Sequence, residues 1–304
     1  MKSLRYRLLI GLSVLAGAVA LQAQKPITYF PLTQPQHVLP QAQSWEGKGV
    51  PHTMAVLELN RGGYRYWSWY GLTNGGGVGL ARSRDMLHWT KYGKNPILTN
   101  ARWISALKTP RGLYFAYTRD FDTRAPWIGL GVSHDSGFHI NLVKVLVQPV
   151  PGQRNQNPNL FRDPADGSYH LTWFRGNYRD NYELVMRSAK TLEGLADAPD
   201  KVLISTKDNL MGPFLMKYHG VYYLAAESHR PNPTHPHGEW ESHVFTSRHV
   251  EGPYTPVAND PVISDEHGCP SQYVFGGKLY GFTCNYREAQ HDWILEEFTG
   301  RLHK

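Results

Sequence analysis

Cysteine, helical periodicity and strong charge are all scarce in this chain. Its 304 residues include two cysteines, Cys269 and Cys284, so one intrachain disulfide is the most it can form. The formal charge is +7, and Lys2, Arg5 and Arg7 contribute three of the 32 basic residues; the other 29 face 25 acidic ones. No basic stripe runs along the sequence, which argues against a nucleic-acid partner. Beyond the N-terminus no stretch approaches the roughly 18 apolar residues of a membrane span. No segment shows helical periodicity over more than two turns, and 189–195 is the best short helix candidate. With 41% hydrophobic and 19% charged residues, disorder, collagen and coiled coil are excluded.

Aromatic residues are abundant instead: 9 Trp, 18 Tyr and 11 Phe, beside 29 Gly and 21 Pro. Tyr and Trp favour strands while Gly and Pro punctuate turns, so the composition points to an all-β protein. The first residues read as an address. Met1 to Arg7 are basic, Leu8 to Ala20 apolar, and Ala23 supplies a small residue at the cut. This is the pattern of a secretory signal peptide spanning 1–23. No cysteine follows the apolar run, so no lipid anchor is expected. Residues 24–304 then form a single domain, secreted or periplasmic, in a compartment that permits disulfides.

One unit recurs along that domain. Aromatic, alternating strands begin at Tyr64, Leu113, Ser168, Val221 and Lys278, each after a turn glycine: Gly63, Gly112, Gly167, Gly220 and Gly277. A glycine before a period-two aromatic run is a hairpin signal. Two further strands follow each of the first four hairpins. Units of four strands repeating at roughly 50 residues suggest radial sheets, the blades of a β-propeller. The expectation is a five-bladed β-propeller with four-stranded antiparallel blades, with residues 27–32 supplying the strand that closes the last blade.

The strings SRDMLHWTKYGKNPIL, NPNLFRDPADGSYHLTW, MGPFLMKYHGVYYL and HGCPSQYVFGGKLYGF carry a resemblance. From about Pro51 onward the chain resembles the five-bladed propeller glycoside hydrolases of family 43 and their relatives, families 32, 62, 117 and 130. The resemblance implies three catalytic carboxylates at the tops of inner strands: an Asp base, an Asp that tunes the acid, and a Glu acid. This chain departs from that pattern. Asn157 stands where the family's third-blade Asp is expected, and Met211 where its fourth-blade Glu is. His52-Thr53 replaces the first-blade Asp-Pro pair. The Asp in the Arg162-Asp163-Pro164 triplet, reminiscent of family 32, lies only four residues before Gly167, whereas Asn157 lies ten before it. Six strand residues span about 20 Å, which places Asp163 at the far, hairpin end of its blade.

Counting from the turn glycines gives the residues expected around the central pit. Inner strands contribute His52, Trp103, Asn157, Met211 and His267; second strands contribute Asp120, Arg175, Glu227 and Asn285. Glu227 and Asp120 are the candidate acid and base, because glycosidic cleavage needs a proton donor and a carboxylate. The alternative for both is a solvated loop carboxylate beside arginine. His52 is the third catalytic candidate, since a neutral imidazole exchanges protons near pH 7; a buried structural histidine is the alternative. Glu46 is a reserve carboxylate at the rim. Trp103, Asn157, Arg119, Arg175, His229, His267 and Asn285 are the expected substrate-binding residues. The segment from Ser228 to His243 reads as a substrate-covering loop. Its His235, His237 and Glu239 are ligand-type residues without a recognised zinc spacing. No cofactor is expected, although the resemblance leaves a structural calcium ion near His267 open.

The expected activity is hydrolysis of an oligo- or polysaccharide with a non-standard acid/base set. A glycan-binding pseudoenzyme, or a polysaccharide lyase using His52, Arg119 and Arg175, is the alternative. A disulfide between Cys269 and Cys284 also follows from register: across a hairpin centred on Gly276-Gly277, these two cysteines fall directly opposite each other. Two free buried thiols are the competing expectation.

Overall fold

The computed structural model describes residues 27, 36–39, 42–47, 49, 51–72, 76–177, 182–207, 209–232, 235–264, 267–287 and 292–300. The expected signal segment 1–23, and all of 27–32 but Ile27, lie outside them. Among the described residues the only helices are two short 3-10 turns, Ser44–Glu46 and Glu193–Ala196. The second overlaps the end of the expected helix at 189–195, and the rest of that stretch is strand and turn.

The strands form five antiparallel sheets. Sheet one holds Pro51–Arg61, Tyr64–Leu72, Gly77–Ser83 and Trp89–Lys91, with Leu98–Thr99 as a fifth strand. Sheet two holds Ala101–Thr109, Gly112–Arg119, Trp127–Ser133 and Asn141–Val147. Sheet three holds Gln153–Arg162, Tyr169–Asn177, Glu183–Ala189 and Lys201–Ser205. Sheet four holds Met211–Tyr218, Val221–Asn232, His235–Ser247 and Thr255–Pro256. Sheet five holds His267–Phe275, Lys278–Arg287 and Asp292–Gly300, and is completed from the other end of the chain by Gln36–His37. The closing strand is therefore Gln36–His37, paired with Glu297 and Glu296. The five turn glycines sit at the five hairpins, all with positive φ between 73° and 139°, a region closed to most side chains.

The first strands of the sheets touch one another in a closed cycle, and the sheets radiate from it as a β-propeller. Apolar clusters fill each gap between neighbouring sheets. Trp69, Leu80, Phe115 and Tyr117 pack sheets one and two, and Leu130, Leu160 and Trp173 pack two and three. Phe174, Leu215 and Leu224 pack three and four; Met216, Tyr223 and Leu279 pack four and five; Val56, Tyr66 and Phe282 pack five and one. The alternating aromatic strands thus bury both faces, which is why they read as nearly continuous apolar runs.

Each first strand is also an edge strand, with unpaired backbone groups facing its neighbour. Polar side chains satisfy several of them. Ser105 Oγ accepts from Leu160 N at 2.7 Å, and Asn159 Oδ1 accepts from Leu215 N at 3.0 Å. Tyr273 Oη accepts from Val56 N at 3.1 Å and donates to Met54 O at 2.6 Å.

Two expectations need correction. Sheet one is not four-stranded, because its outer edge is split by Asn95. The Asn95 amide takes the place of a strand residue, accepting from Leu80 N at 2.8 Å and donating to Leu80 O at 3.1 Å. Trp89–Lys91 and Leu98–Thr99 pair on either side of it. The disulfide is not formed: Cys269 and Cys284 are both free and buried. The register from Phe275↔Lys278 to Ser271↔Phe282 is the expected one, but a bulge then shifts it, and Cys284 faces Gly268. The extra residue of the bulge is Cys269 itself, at φ 52°.

Asn95→Ala should leave the Leu80 N–H without a partner and lower stability by about 1–3 kcal/mol. Urea unfolding of the variant beside the wild type measures it.

Candidate active site

The register shift in sheet five has a counterpart in every sheet. The other first strands bulge between Pro51 and Thr53, Arg102 and Ser105, Gln156 and Asn159, and Met211 and Phe214. At four of the five bulges one residue takes a left-handed backbone: Trp103 at φ 47°, Asn157 at 54°, Gly212 at 57° and Cys269 at 52°. Three of these carry a side chain, at a cost of roughly 1–2 kcal/mol each. A bulge re-aims the residue it adds, so Trp103, Asn157 and Cys269 are turned out of the strand pattern around the axis. Proline follows the bulged residue in three strands, as Pro158, Pro213 and Pro270. Such strain persists only where the surroundings enforce it, and it concentrates at functional sites.

A cavity of about 310 Å³ opens along the axis below this ring, lined by all five first strands. Thr53, Trp103, Asn157, Pro213 and Cys269 are among its walls. Asn157 is buried, and its Oδ1 has no hydrogen-bond partner. A buried acceptor left unpaired beside a cavity is a place for a ligand hydroxyl or a water molecule.

Glu227 reaches the same ring from the second strand of sheet four. It pairs across the ladder with Met211, so the two side chains share one face. Its carboxylate is 3% exposed as a residue and accepts from Cys269 N at 2.5 Å. Two glycines clear the space. A Cβ on Gly268 would lie 2.5 Å from Glu227 Oε2, and one on Gly212 would lie 3.2 Å from both Glu227 Oε1 and Asn157 Nδ2. Burial pushes the Glu227 carboxyl above its ordinary pKa, opposed in part by the Cys269 hydrogen bonds and the Arg154 charge. A carboxyl that keeps its proton at higher pH has the property a general acid requires.

The other expected site residues fall into two groups. Around the axis, His52 sits at the sheet-one bulge with its ring 5.8 Å from that of Trp103. Burial, with the Arg102 charge second, depresses its pKa to about 3. The expectation of proton exchange near pH 7 is corrected: His52 is a neutral, buried ring at all ordinary pH values. Arg102 itself lies over Phe121 at 3.8 Å and Trp103 at 5.2 Å. His267 is buried, with Nδ1 2.9 Å from Ser264 O. His229 stacks on Trp240 at 4.5 Å. Asn285 pairs with His267 along the backbone; its side chain lies outside the described residues.

The second group does not line the cavity and is held by neighbouring side chains. Arg175 is directed to the outer strands of its own sheet, where it bonds Glu183 at 2.8 Å and Asp200 at 2.7 Å, and it does not join the cavity wall. Arg119 lies over the Tyr117 ring at 5.6 Å. Asp120 is held by Asn100 Nδ2 at 2.9 Å and Trp127 Nε1 at 2.6 Å, and these bonds lower its pKa, Asn100 first. It is an ionised carboxylate on the loop after the second strand of sheet two. Glu46 is no rim group: it is buried against Lys91 at 2.9 Å and the Tyr70 hydroxyl at 2.8 Å. Asp163 lies at the hairpin end, as expected, beside Lys217 at 2.9 Å and the Tyr222 hydroxyl.

The segment from Ser228 to His243 is not a loop. It continues the hairpin ladder through Ser228↔Glu241, His229↔Trp240 and Arg230↔Glu239. Side chains at 231–238, including His235 and His237, lie outside the described residues. Among the described residues no group of three or more His, Cys, Asp and Glu side chains could hold a metal ion. Sequence reasoning missed Gly268, Trp240 and Arg154. An unshifted hairpin four would pair Met211 with Ser228; the bulge between Met211 and Phe214 moves the partner to Glu227.

The fold has counterparts among solved structures. An exo-1,5-α-L-arabinanase from a bovine ruminal metagenomic library is 18% identical with a TM-score of 0.63, over 85% of this chain and 96% of that one. A thermostable family-43 glycoside hydrolase is 15% identical with a TM-score of 0.69, over 87% and 92%. The Cellvibrio cellulosa α-L-arabinanase complexed with arabinohexaose is 15% identical with a TM-score of 0.61, over 83% and 92%. At these identities the likeness is one of fold. No protein-family model matches the chain, and no curated protein matches it.

A carboxyl whose pKa is raised by folding binds its proton more tightly in the folded state. Its stabilising contribution is complete below the unfolded value of 4.5 and is lost as pH rises through the folded one. Glu227→Gln should therefore melt with the wild type at pH 4 and above it at pH 8. His52 titrates in the opposite sense in both proteins and cancels. Thermal melts at the two pH values read the difference; an equal gap at both would show that Glu227 does not titrate abnormally.

Proposed function

We propose that this chain is an exported glycoside hydrolase on a five-bladed propeller, with the five-stranded sheet as its first blade, acting on an oligo- or polysaccharide. One observation carries the reading: the protonation-prone carboxyl of Glu227, beside Gly212 and Asn157 of the cavity wall, stands directly across the ladder from Met211. Met211 occupies the position at which the resemblance to family 43 puts the acid. The proton donor has moved by one strand, from the inner strand to its neighbour, and reaches the same ring of bulges. The fold shared with arabinanases and a family-43 hydrolase supports the substrate class.

In this reading Glu227 gives its proton to the glycosidic oxygen as the bond to the leaving sugar breaks. Asn157, with its unpaired carbonyl oxygen, accepts from a sugar hydroxyl. Trp103 offers an apolar ring to a sugar face. The negative partner of the reaction is Asp120, ionised and half-exposed on the rim of sheet two. A second reading, a module that binds glycan without cutting it, draws on one fact: the inner-strand positions Asn157, Met211 and His52 bear no carboxylate. The lyase reading is less well supported, because His52 is too weakly basic to take a carbon-bound proton and Arg175 is engaged by two carboxylates.

Release of reducing ends from neutral polysaccharides tests the hydrolase reading. Glu227→Gln should lower kcat on a natural glycan by about 10²–10⁴-fold and affect an activated aryl glycoside less, because a good leaving group needs no proton. Asp120→Asn should also lower kcat, with KM nearly unchanged. If the wild type binds glycan and neither substitution alters any turnover, the protein is a binding module.

A further inference from the structure

Sheet four differs from the others in one respect that the reaction alone does not require. Its second and third strands, Val221–Asn232 and His235–Ser247, run to 12 and 13 residues. Second strands elsewhere have 8 to 10 residues and third strands 7 to 9. The excess lies beyond Glu227 in the ladder. We propose that this hairpin extension is the wall of a glycan subsite, and that its stacked His229–Trp240 pair is the surface on which one ring of a neutral sugar chain rests. The proposal deepens the reading of Glu227 as the acid and rests on it.

Three observations carry it. First, the pair is adjacent to the acid: the point where a Gly268 Cβ would lie is 2.5 Å from Glu227 Oε2 and 3.1 Å from Trp240 Cε3. The carboxyl and the indole thus flank a single glycine. Any larger residue there would displace both. Second, the rings are ordered but not buried away. Their centroids are 4.5 Å apart and their planes 29° from parallel, and both residues are partly exposed. An aromatic surface beside a carboxyl suits the apolar C–H face of a sugar.

Third, the root of the hairpin is fixed from its other face. Ser228 Oγ lies 2.9 Å from His243 Nε2, and His243 Nδ1 lies 2.8 Å from Asp260 Oδ2. Asp260 Oδ1 also accepts from Val244 N at 2.9 Å, and Ser242 bridges Ile263 through backbone bonds. This chain of polar contacts is buried at Ser228 and His243 and half-buried at Asp260, so it serves as a strut. It holds the extension against the segment at 260–263 and keeps the platform in register with Glu227.

The consequence is a preference for chains over single sugars. A substrate with one unit at Glu227 and a further unit on the rings gains stacking that a monosaccharide derivative lacks. Affinity electrophoresis in gels containing linear arabinan, arabinoxylan or mixed-linkage glucan tests this with the full protein. The wild type should be retarded by at least one of these. Trp240→Ala should weaken that binding at least tenfold, Trp240→Phe should restore most of it, and His229→Ala should weaken it less. Glu227→Gln should keep binding while losing turnover, which separates the platform from the acid. If Trp240→Ala melts near the wild type and binds equally well, the proposal is overturned. Should Trp240→Ala fail to fold, a folded His229→Ala that binds as tightly as the wild type overturns it. A wild type retarded by none of the three glycans also overturns it.

Discussion

The convergence of five edge strands on one axis is the constraint from which the rest of the structure follows. An edge strand in the middle of a protein exposes backbone groups that neither water nor its own sheet satisfies. Here they are met by side chains of the next sheet, as at Ser105, Asn159 and Tyr273. The polar residues scattered through otherwise apolar first strands are thus structural necessities. The same geometry forces the strands apart at one end, where each bulges. The bulges turn Trp103, Asn157 and Cys269 toward the mouth of the cavity. Closure of the ring and formation of the site are one event.

Glu227 shows how such a scaffold brings a carboxyl to the ring of bulges from a second strand. In an antiparallel ladder the residue directly across from an inner-strand position points to the same face, with its Cβ about 4.5–5.5 Å away. A carboxyl on the second strand can therefore serve the space in front of the first, provided that nothing stands between. Gly212 and Gly268 keep that space open. The same enclosure that raises the Glu227 pKa depresses that of His52, because burial penalises the charged form of each. Burial thus acts on the two groups in opposite directions, raising the carboxyl pKa and lowering that of the imidazole.

The ion pairs lie away from this centre. Arg175 with Glu183 and Asp200, and Arg187 with Asp200, tie outer strands together on partly exposed surface. Glu46 with Lys91 and Asp163 with Lys217 are buried instead, and the first docks the N-terminal segment on sheet one through Tyr70.

The local alternation of aromatic residues and the positions of the turn glycines determined the hairpins, because both are short-range properties of strand and turn. Those hairpins located Trp103, Asn157 and Glu227 at one end and Asp163 at the other. What local pattern does not contain is the bulge. A one-residue slip depends on how neighbouring sheets press together at the axis, so the expected opposition of Cys269 and Cys284 failed where that of Tyr273 and Tyr280 held. Burial was equally out of reach of the sequence: His52, Glu46 and Arg175 looked like rim groups by counting. Only packing decided that the first two are enclosed and the third faces outward. Gln36–His37 joined sheet five for the same reason, since closure of a ring is set by the partner strand 260 residues away in sequence.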